Sequence, residues 1–270
     1  MLVHTAWNDL PGSVRRAVVA RTGPVRSVTP AGAGATCRLA ATLQTGSGVV
    51  FVKGILVGDR LAWTLRNEIR VNPHLPGIAP RLLWHVEQDG WLVAGFEHVA
   101  GRHADLRPGS ADLSAVAAVL AGLAAAPRPG LPVRPFAARW SGLIDSWHVA
   151  GSTLAHTDMS RRNWLIGDGG ARLVDWATPA VGPAWLDTAF TVVRLVRYGH
   201  SPADAEGWAG QIPAFSAASG ESLTRFAGAL ADMWQRQQDR APAAHRGLLV
   251  DAARAWCRYR SGRSAVLMSG

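Results

Sequence analysis

Leu154 to Trp176 reads LAHTDMSRRNWLIGDGGARLVDW. Within it, Trp164 to Ile166 and Ala171 to Val174 are short apolar runs on either side of Asp168-Gly169-Gly170, so the segment predicts a β-hairpin. A hairpin turns the chain back on itself and would bring Asn163, at its entrance, beside Asp175, at its exit. An amide oxygen and a carboxylate so placed are a candidate metal pair. Ahead of the hairpin, His156, Asp158 and Asn163 stand in the spacing H-x-D-x-x-x-x-N.

Working outward, Leu10, Val14 and Val18 at i, i+4 spacing predict a helix that ends by about residue 24. Val25 to Thr29 and Cys37 to Leu43 read as strands around Pro30-Ala31-Gly32-Ala33-Gly34-Ala35. Small residues in such a turn let backbone N–H groups approach phosphate oxygens, which makes Gly32 and Gly34 candidate contacts, with Cys37 at the position of a third glycine. Val49 to Val52 is a further strand ending at Lys53, and Asp59 to Val71 reads as a helix with Leu61, Leu65 and Ile69 on one face and Glu68 beside them. Arg81 to Val86 and Trp91 to Phe96, joined by Gln88-Asp89-Gly90, read as a second hairpin.

After Phe96 to Gly101 the pattern turns helical. Helices are expected through Leu113 to Leu123, Phe136 to Trp147, Leu186 to Val196, Leu223 to Met233 and Leu249 to Trp256. Ser201-Pro202 reads as an N-cap followed by a first-turn proline. The expected fold is therefore α+β and two-lobed, with a small antiparallel sheet in an N-lobe over residues 1–96, a hinge at 97–101 and a mainly helical C-lobe over 102–270.

The chain carries 28 Lys plus Arg against 19 Asp plus Glu, and all of the 28 but one are arginine. Lys53 is that one, and a compact ammonium is not interchangeable with a planar guanidinium. The arginines are scattered in short clusters such as Arg15-Arg16, Arg161-Arg162 and Arg258-Arg260-Arg263, with no nucleic-acid-binding motif, so they read as a solvated surface and nucleic acid is not an expected partner. From Thr188 onward ten Arg stand against six Asp plus Glu, the wrong sign for a polycationic ligand. No apolar run is long enough to cross a bilayer, and MLVHTAWNDLPGSVRR lacks the basic-then-apolar order of a signal peptide. A cytoplasmic protein with no membrane partner is expected. Cys37 and Cys257 are too few for a disulfide framework.

With Lys53, Glu68, the run at 96–101, Asp158, Asn163 and Asp175 in this order, the chain resembles the aminoglycoside phosphotransferase family of the protein-kinase-like fold over roughly residues 25–200. Val174-Asp175-Trp176 is similar to that family's second metal motif, and Gly182 to Asp187 to the segment after it, in which Asp187 would brace the catalytic loop. The resemblance implies an ATP- or GTP-dependent, Mg²⁺-requiring phosphotransferase with a small-molecule hydroxyl acceptor, antibiotic-like or a metabolite. Asp158 would position the acceptor hydroxyl, Asn163 and Asp175 would hold Mg²⁺, and Lys53, steadied by Glu68, would bind the α/β-phosphates. Gly32 and Gly34 would approach the phosphates, while Glu97 and Val99 would meet the adenine through main-chain groups.

Two departures from protein kinases bear on the acceptor. Thr157 stands where their regulatory arginine would be, and only eleven residues separate Asp175 from Asp187, too few for an activation loop of usual length. A small molecule, or a peptide in an open cleft, is the expected acceptor. Arg161 or Arg162 could help to neutralise transferred charge. The alternative is a nucleotide-binding protein of the same fold without turnover, serving as a partner in a biosynthetic or regulatory complex.

Overall fold

The computed structural model describes residues 4–32, 36–127 and 130–267, with side chains to residue 263 at the C-terminal end. These residues form two units, Met1–Gly101 with Arg172–Thr178, and Arg102–Ala171 with Pro179–Gly270. The return of Arg172–Thr178 to the first unit is absent from any reading of the chain as consecutive lobes.

The first unit runs α1 (Gly12–Thr22), β1 (Val25–Pro30), β2 (Leu39–Thr45), β3 (Gly48–Leu56), α2 (Ala62–Val71), β4 (Leu82–Gln88) and β5 (Trp91–Glu97). Its sheet has the order β1-β2-β3-β5-β4, with every neighbouring pair antiparallel. Six of the seven residues of β5 are buried, because both faces of the sheet are covered. Successive side chains point to opposite faces. Trp91 and Val93 join Leu10, Val14, Val18, Val50 and Val52 on the α1 side, while Leu92, Ala94 and Phe96 join Ile55, Ala62 and Leu65 on the α2 side. Asn72 fixes the exit from α2, its Nδ2 donating to Pro80 O at 2.8 Å and its Oδ1 accepting from Leu82 N at 2.5 Å.

The hairpin expected at Gln88-Asp89-Gly90 is present, with φ of 47° at Asp89 and 72° at Gly90, the left-handed pair that a two-residue turn needs. Strand β2 begins at Leu39, later than the expected Cys37, which lies outside the regular ladder.

In the second unit the chain runs β6 (Arg102–His103), α3 (Asp112–Ala125), α4 (Phe136–Arg139), β7 (Thr153–Ala155), β8 (Trp164–Gly167), β9 (Gly170–Leu173), β10 (Ala180–Gly182), α5 (Leu186–Arg197), α6 (Pro202–Ala209), α7 (Pro213–Ser216), α8 (Gly220–Arg240) and α9 (Ala244–Leu267). The β8–β9 hairpin turns at Asp168-Gly169, with Gly170 at φ 90°, and along β9 the chain passes into the first unit. Strands β7 and β10 pair antiparallel, with Leu154 opposite Val181. Phe226 of α8 lies at the centre of an aromatic core, its ring centroid 5.3 Å from those of Trp185 and Phe190 and 5.5 Å from that of Trp140.

The helix expected over Phe136 to Trp147 stops after Arg139. Trp140 is drawn into the aromatic core and Gly142 takes φ 80°, so the chain leaves the helix and resumes only as a 3-10 turn at Ser146–Val149. The reading at Ser201-Pro202 agrees with the structure, since Ser201 Oγ accepts from Asp204 N at 3.1 Å with Pro202 in the first turn of α6. Glu206 of the same helix takes Trp256 Nε1 and Arg260 Nη1, each at 2.7 Å, which ties α6 to α9.

Gly95 stands opposite Trp84 in the β4–β5 ladder, and the indole lies where a side chain at 95 would begin. Gly95→Ala is expected to cost about 1–3 kcal/mol by overpacking. A thermal melt checks this, and the same change in a Trp84→Ala background should cost clearly less if the indole is the cause.

Candidate active site

Strand parity explains the first part of the site. Lys53 shares a face of β3 with Ile55, so its side chain is directed toward α2, and its cross-strand neighbours are the small residues Ala40 and Ala94. Glu68, buried on α2, meets it. Lys53 Nζ donates to Glu68 Oε1 at 2.9 Å and Oε2 at 2.8 Å, and to Asp175 Oδ1 at 2.7 Å. Glu68 Oε1 also accepts from Trp176 N at 3.2 Å, so one carboxylate holds both the lysine and the backbone next to Asp175.

The electrostatics follow from burial. Burial pulls the Lys53 ammonium down, but the charges of Asp175 and Glu68 outweigh it and hold the group above its ordinary range. Burial raises the Glu68 carboxyl, opposed by Lys53. One ammonium against two carboxylates leaves net negative charge, and the Asp175 side chain, 33% exposed, is the member that solvent reaches. Cys37 lies in the same field. Burial, with Asp175 and Glu68, pushes its thiol up to about 11, which leaves it a packing group and a poor nucleophile.

The other residues lie in the second unit. Asp187, at the start of α5, accepts from His156 N at 2.7 Å and Thr157 N at 2.8 Å, which is the bracing expected of it. Burial raises its carboxyl, and the two N–H groups work against that rise. The brace holds Thr157 at φ 68°, a conformation that a β-branched residue avoids. The next residue, Asp158, is thereby turned outward, its side chain 46% exposed. Its Oδ1 accepts from Ser160 N at 3.1 Å and from Arg194 Nη2 at 3.2 Å. Asn163 Nδ2 donates to Asp158 O at 3.0 Å, which leaves the amide oxygen as the end that can ligate a cation.

Arg194 is the residue the sequence reading missed. It sits on α5 among buried apolar residues, 14% exposed, where burial pulls its guanidinium down and Asp158 partly restores it. An arginine inside LDTAFTVVRLVR is the only signal that could have marked it. Of the other candidates, Glu97 is the last residue of β5, laddered with Val50, and its carboxylate accepts from Arg172 Nη2 at 3.2 Å. Val99 is half-buried in the irregular run that follows. At Gly32 no atom of the described residues lies within 4 Å of where a side chain would begin, and Gly34 lies outside the described residues. Arg161 Nε donates to Ala104 O at 2.7 Å.

Among the described residues no group of three or more His, Cys, Asp or Glu side chains is placed to hold a metal by itself. Magnesium does not need such a group, since it takes one or two protein oxygens and fills its remaining positions with phosphate oxygens and water. Asp175 in the first unit and the amide oxygen of Asn163 in the second are each, taken singly, hard oxygen donors of that kind.

Asp187→Ala strands two backbone N–H groups, so the protein is expected to lose about 2–6 kcal/mol, at roughly 1–3 per group, read as a lower melting temperature. Alkylation followed by mass spectrometry tests the thiols. Cys257, half-buried, should be modified first, and Cys37 should react only as the protein unfolds. Equal rates at neutral pH would contradict the environment described for Cys37.

No family model and no curated protein matches the chain in sequence. Solved structures do match in shape. A thermostable mutant of the aminoglycoside phosphotransferase APH(4)-Ia, in ternary complex with AMP-PNP and hygromycin B, superposes with a TM-score of 0.57 at 15% identity, covering 90% of this chain and 98% of that one. An aminoglycoside phosphotransferase from Alicyclobacillus acidocaldarius gives 0.60 at 12% identity over 96% of this chain and 98% of that one. LicA in complex with AMP gives 0.60 at 11% identity over 92% and 97%. The chain therefore has the kinase-like α+β fold of the aminoglycoside phosphotransferase structures, an antiparallel N-terminal sheet followed by a mainly helical C-terminal part.

Proposed function

We propose that the protein is an ATP- or GTP-dependent phosphotransferase that moves the γ-phosphate to a hydroxyl of a small molecule. The observation that carries this reading is the single lysine of the chain, buried and held at once by Glu68 and Asp175. A structural ion pair needs one carboxylate. The second one, partly exposed, is what a site needs if the ammonium is to be handed to phosphate oxygens while a carboxylate turns to a metal.

In this reading residues 1–96 form the nucleotide-binding lobe, 97–101 the hinge, and 102–270 the lobe that takes the acceptor. Lys53 binds the α/β-phosphates and Glu68 keeps it aimed. Gly32 and Gly34 let the backbone approach the phosphates, and main-chain groups at Glu97 and Val99 meet the purine. Asp175 and Asn163 hold Mg²⁺, which when bound neutralises phosphate charge. The acceptor oxygen bonds to the γ-phosphorus, the bond to the bridging oxygen of the nucleoside diphosphate breaks, and the hydroxyl proton passes to Asp158. Arg194 fixes the direction of the Asp158 carboxylate. The AMP-PNP and hygromycin B of the similar APH(4)-Ia complex support a site for a nucleotide and a small acceptor.

Calorimetry should show Mg²⁺-dependent binding of ATP or GTP. Asp158→Asn should reduce turnover by about 10²–10⁴-fold, the range for a lost general base, with nucleotide affinity little changed. Asp175→Asn should weaken the Mg²⁺-dependent part of binding together with turnover. A folded Asp158→Asn protein with near-normal transfer removes this mechanism. Nucleotide binding without transfer to any hydroxyl would instead identify a binding partner that does not turn over.

A further inference from the structure

The second unit carries a groove of about 880 Å³ whose walls include Arg102, Asp105, Arg107, Asp112, Arg161 and Tyr198. Arg161 stands three residues after Asp158, and Tyr198 ends the helix that carries Arg194, the partner of the Asp158 carboxylate. The groove and the proposed proton acceptor Asp158, with its partner Arg194, therefore draw on the same loop and the same helix.

In each ion pair of the groove the arginine is the more exposed member, 63% against 7% for Arg102 and Asp112 and 72% against 35% for Arg107 and Asp105. Both carboxylates are already committed. Asp112 is gripped by two nitrogens of Arg102, at 2.6 and 2.8 Å, and also accepts from Asp105 N at 2.8 Å. Asp105 is held by Arg107, with Nη2 at 2.7 Å and Nε at 3.0 Å. These pairs fix the two guanidinium planes while leaving further N–H groups on each, since a guanidinium has five donors. Arg161 is anchored by its Nε to Ala104 O, and neither of its Nη groups donates to any described residue. Three oriented arginines against two spent aspartates make a poor seat for an ammonium, which would have to break an existing pair. They make a good one for an oxyanion, which accepts two N–H groups from one guanidinium.

We infer that this groove holds the anionic end of the acceptor, so that the substrate is a small acidic alcohol bearing a phosphate or carboxylate, with its hydroxyl directed to Asp158. The inference rests on the reading of Asp158 as the residue that meets the acceptor. It also explains the basic surplus from Thr188 onward as a field that draws anions.

The test is calorimetric titration of three probes, glycerol 3-phosphate, glycerol and choline, into the protein saturated with Mg²⁺ and AMP-PNP. Glycerol 3-phosphate should bind, and the neutral and cationic alcohols should not. Arg161→Gln should weaken its binding by at least about tenfold, the loss expected of a charge-assisted contact, and Arg161→Lys should recover part of it. Because Arg161 also anchors Ala104, Arg107→Gln, at a side chain 72% exposed, gives a second variant whose fold is not at stake, and it should weaken binding too. Equal binding of all three probes, preference for choline, or indifference to both substitutions overturns the inference. Binding does not depend on turnover. Arginine-dependent binding of the phosphate without transfer would remove the proposed reaction and keep this site, whereas transfer to neutral or cationic alcohols, indifferent to Arg161, would remove the site and keep the reaction.

Discussion

An ammonium taken out of water must be met by carboxylates, and Lys53 is met by two. Desolvating such an ion costs several kcal/mol, and removing one partner of a buried pair costs about 3–5 kcal/mol because the other charge is stranded. Much of the first unit serves this constraint. The parity of β3 turns the lysine toward α2, Ala40 and Ala94 leave it room, and α2 delivers Glu68. The same glutamate takes the N–H of Trp176, whose side chain is 1% exposed. A change at any of these positions is therefore felt at Asp175.

Two candidate-site segments hold a non-glycine residue in the left-handed region, Thr157 of the second unit at φ 68° and Asp175 of the first at φ 66°. Such conformations cost on the order of 1–3 kcal/mol and persist only where neighbours over-determine them. Asp187 does so for Thr157 through two backbone bonds, and Lys53 does so for Asp175 through its side chain. In both cases a buried charge steadies the backbone, and the carboxylate that results, on Asp158 or on Asp175, is at least a third exposed.

How much of this the sequence discloses depends on the range of the interaction. Both hairpins were legible because Asp168-Gly169 and Asp89-Gly90 are local turn chemistry, and α5 was legible because Leu186, Phe190 and Val193 repeat at helical spacing. Lys53 could be picked out because it ends the strand run Val49 to Val52 and every other basic residue but histidine is arginine. The end of α4 was not legible, since Phe136 to Trp147 keeps a helical pattern and it is the pull of the aromatic core on Trp140, with the turn at Gly142, that breaks it. Strands β6, β7 and β10, of two or three residues, are too short to show an alternation. Arg194 was hidden because a buried arginine leaves no period, and its reason for burial, Asp158, lies 36 positions away.

The return of Arg172–Thr178 to the first unit has a consequence for how the protein is made. Leu173 N bonds to Ile78 O at 2.9 Å, and Asp175 reaches a lysine 122 positions earlier. A chain leaving the ribosome can form the five-stranded sheet and α2 once residue 101 has emerged, but at that stage Lys53 has Glu68 alone. The second carboxylate arrives only after β8 and β9 have been synthesised. The nascent first unit thus waits with Lys53 and Glu68 as a closed, neutral pair, and a fragment cut after Gly101 would keep that state permanently.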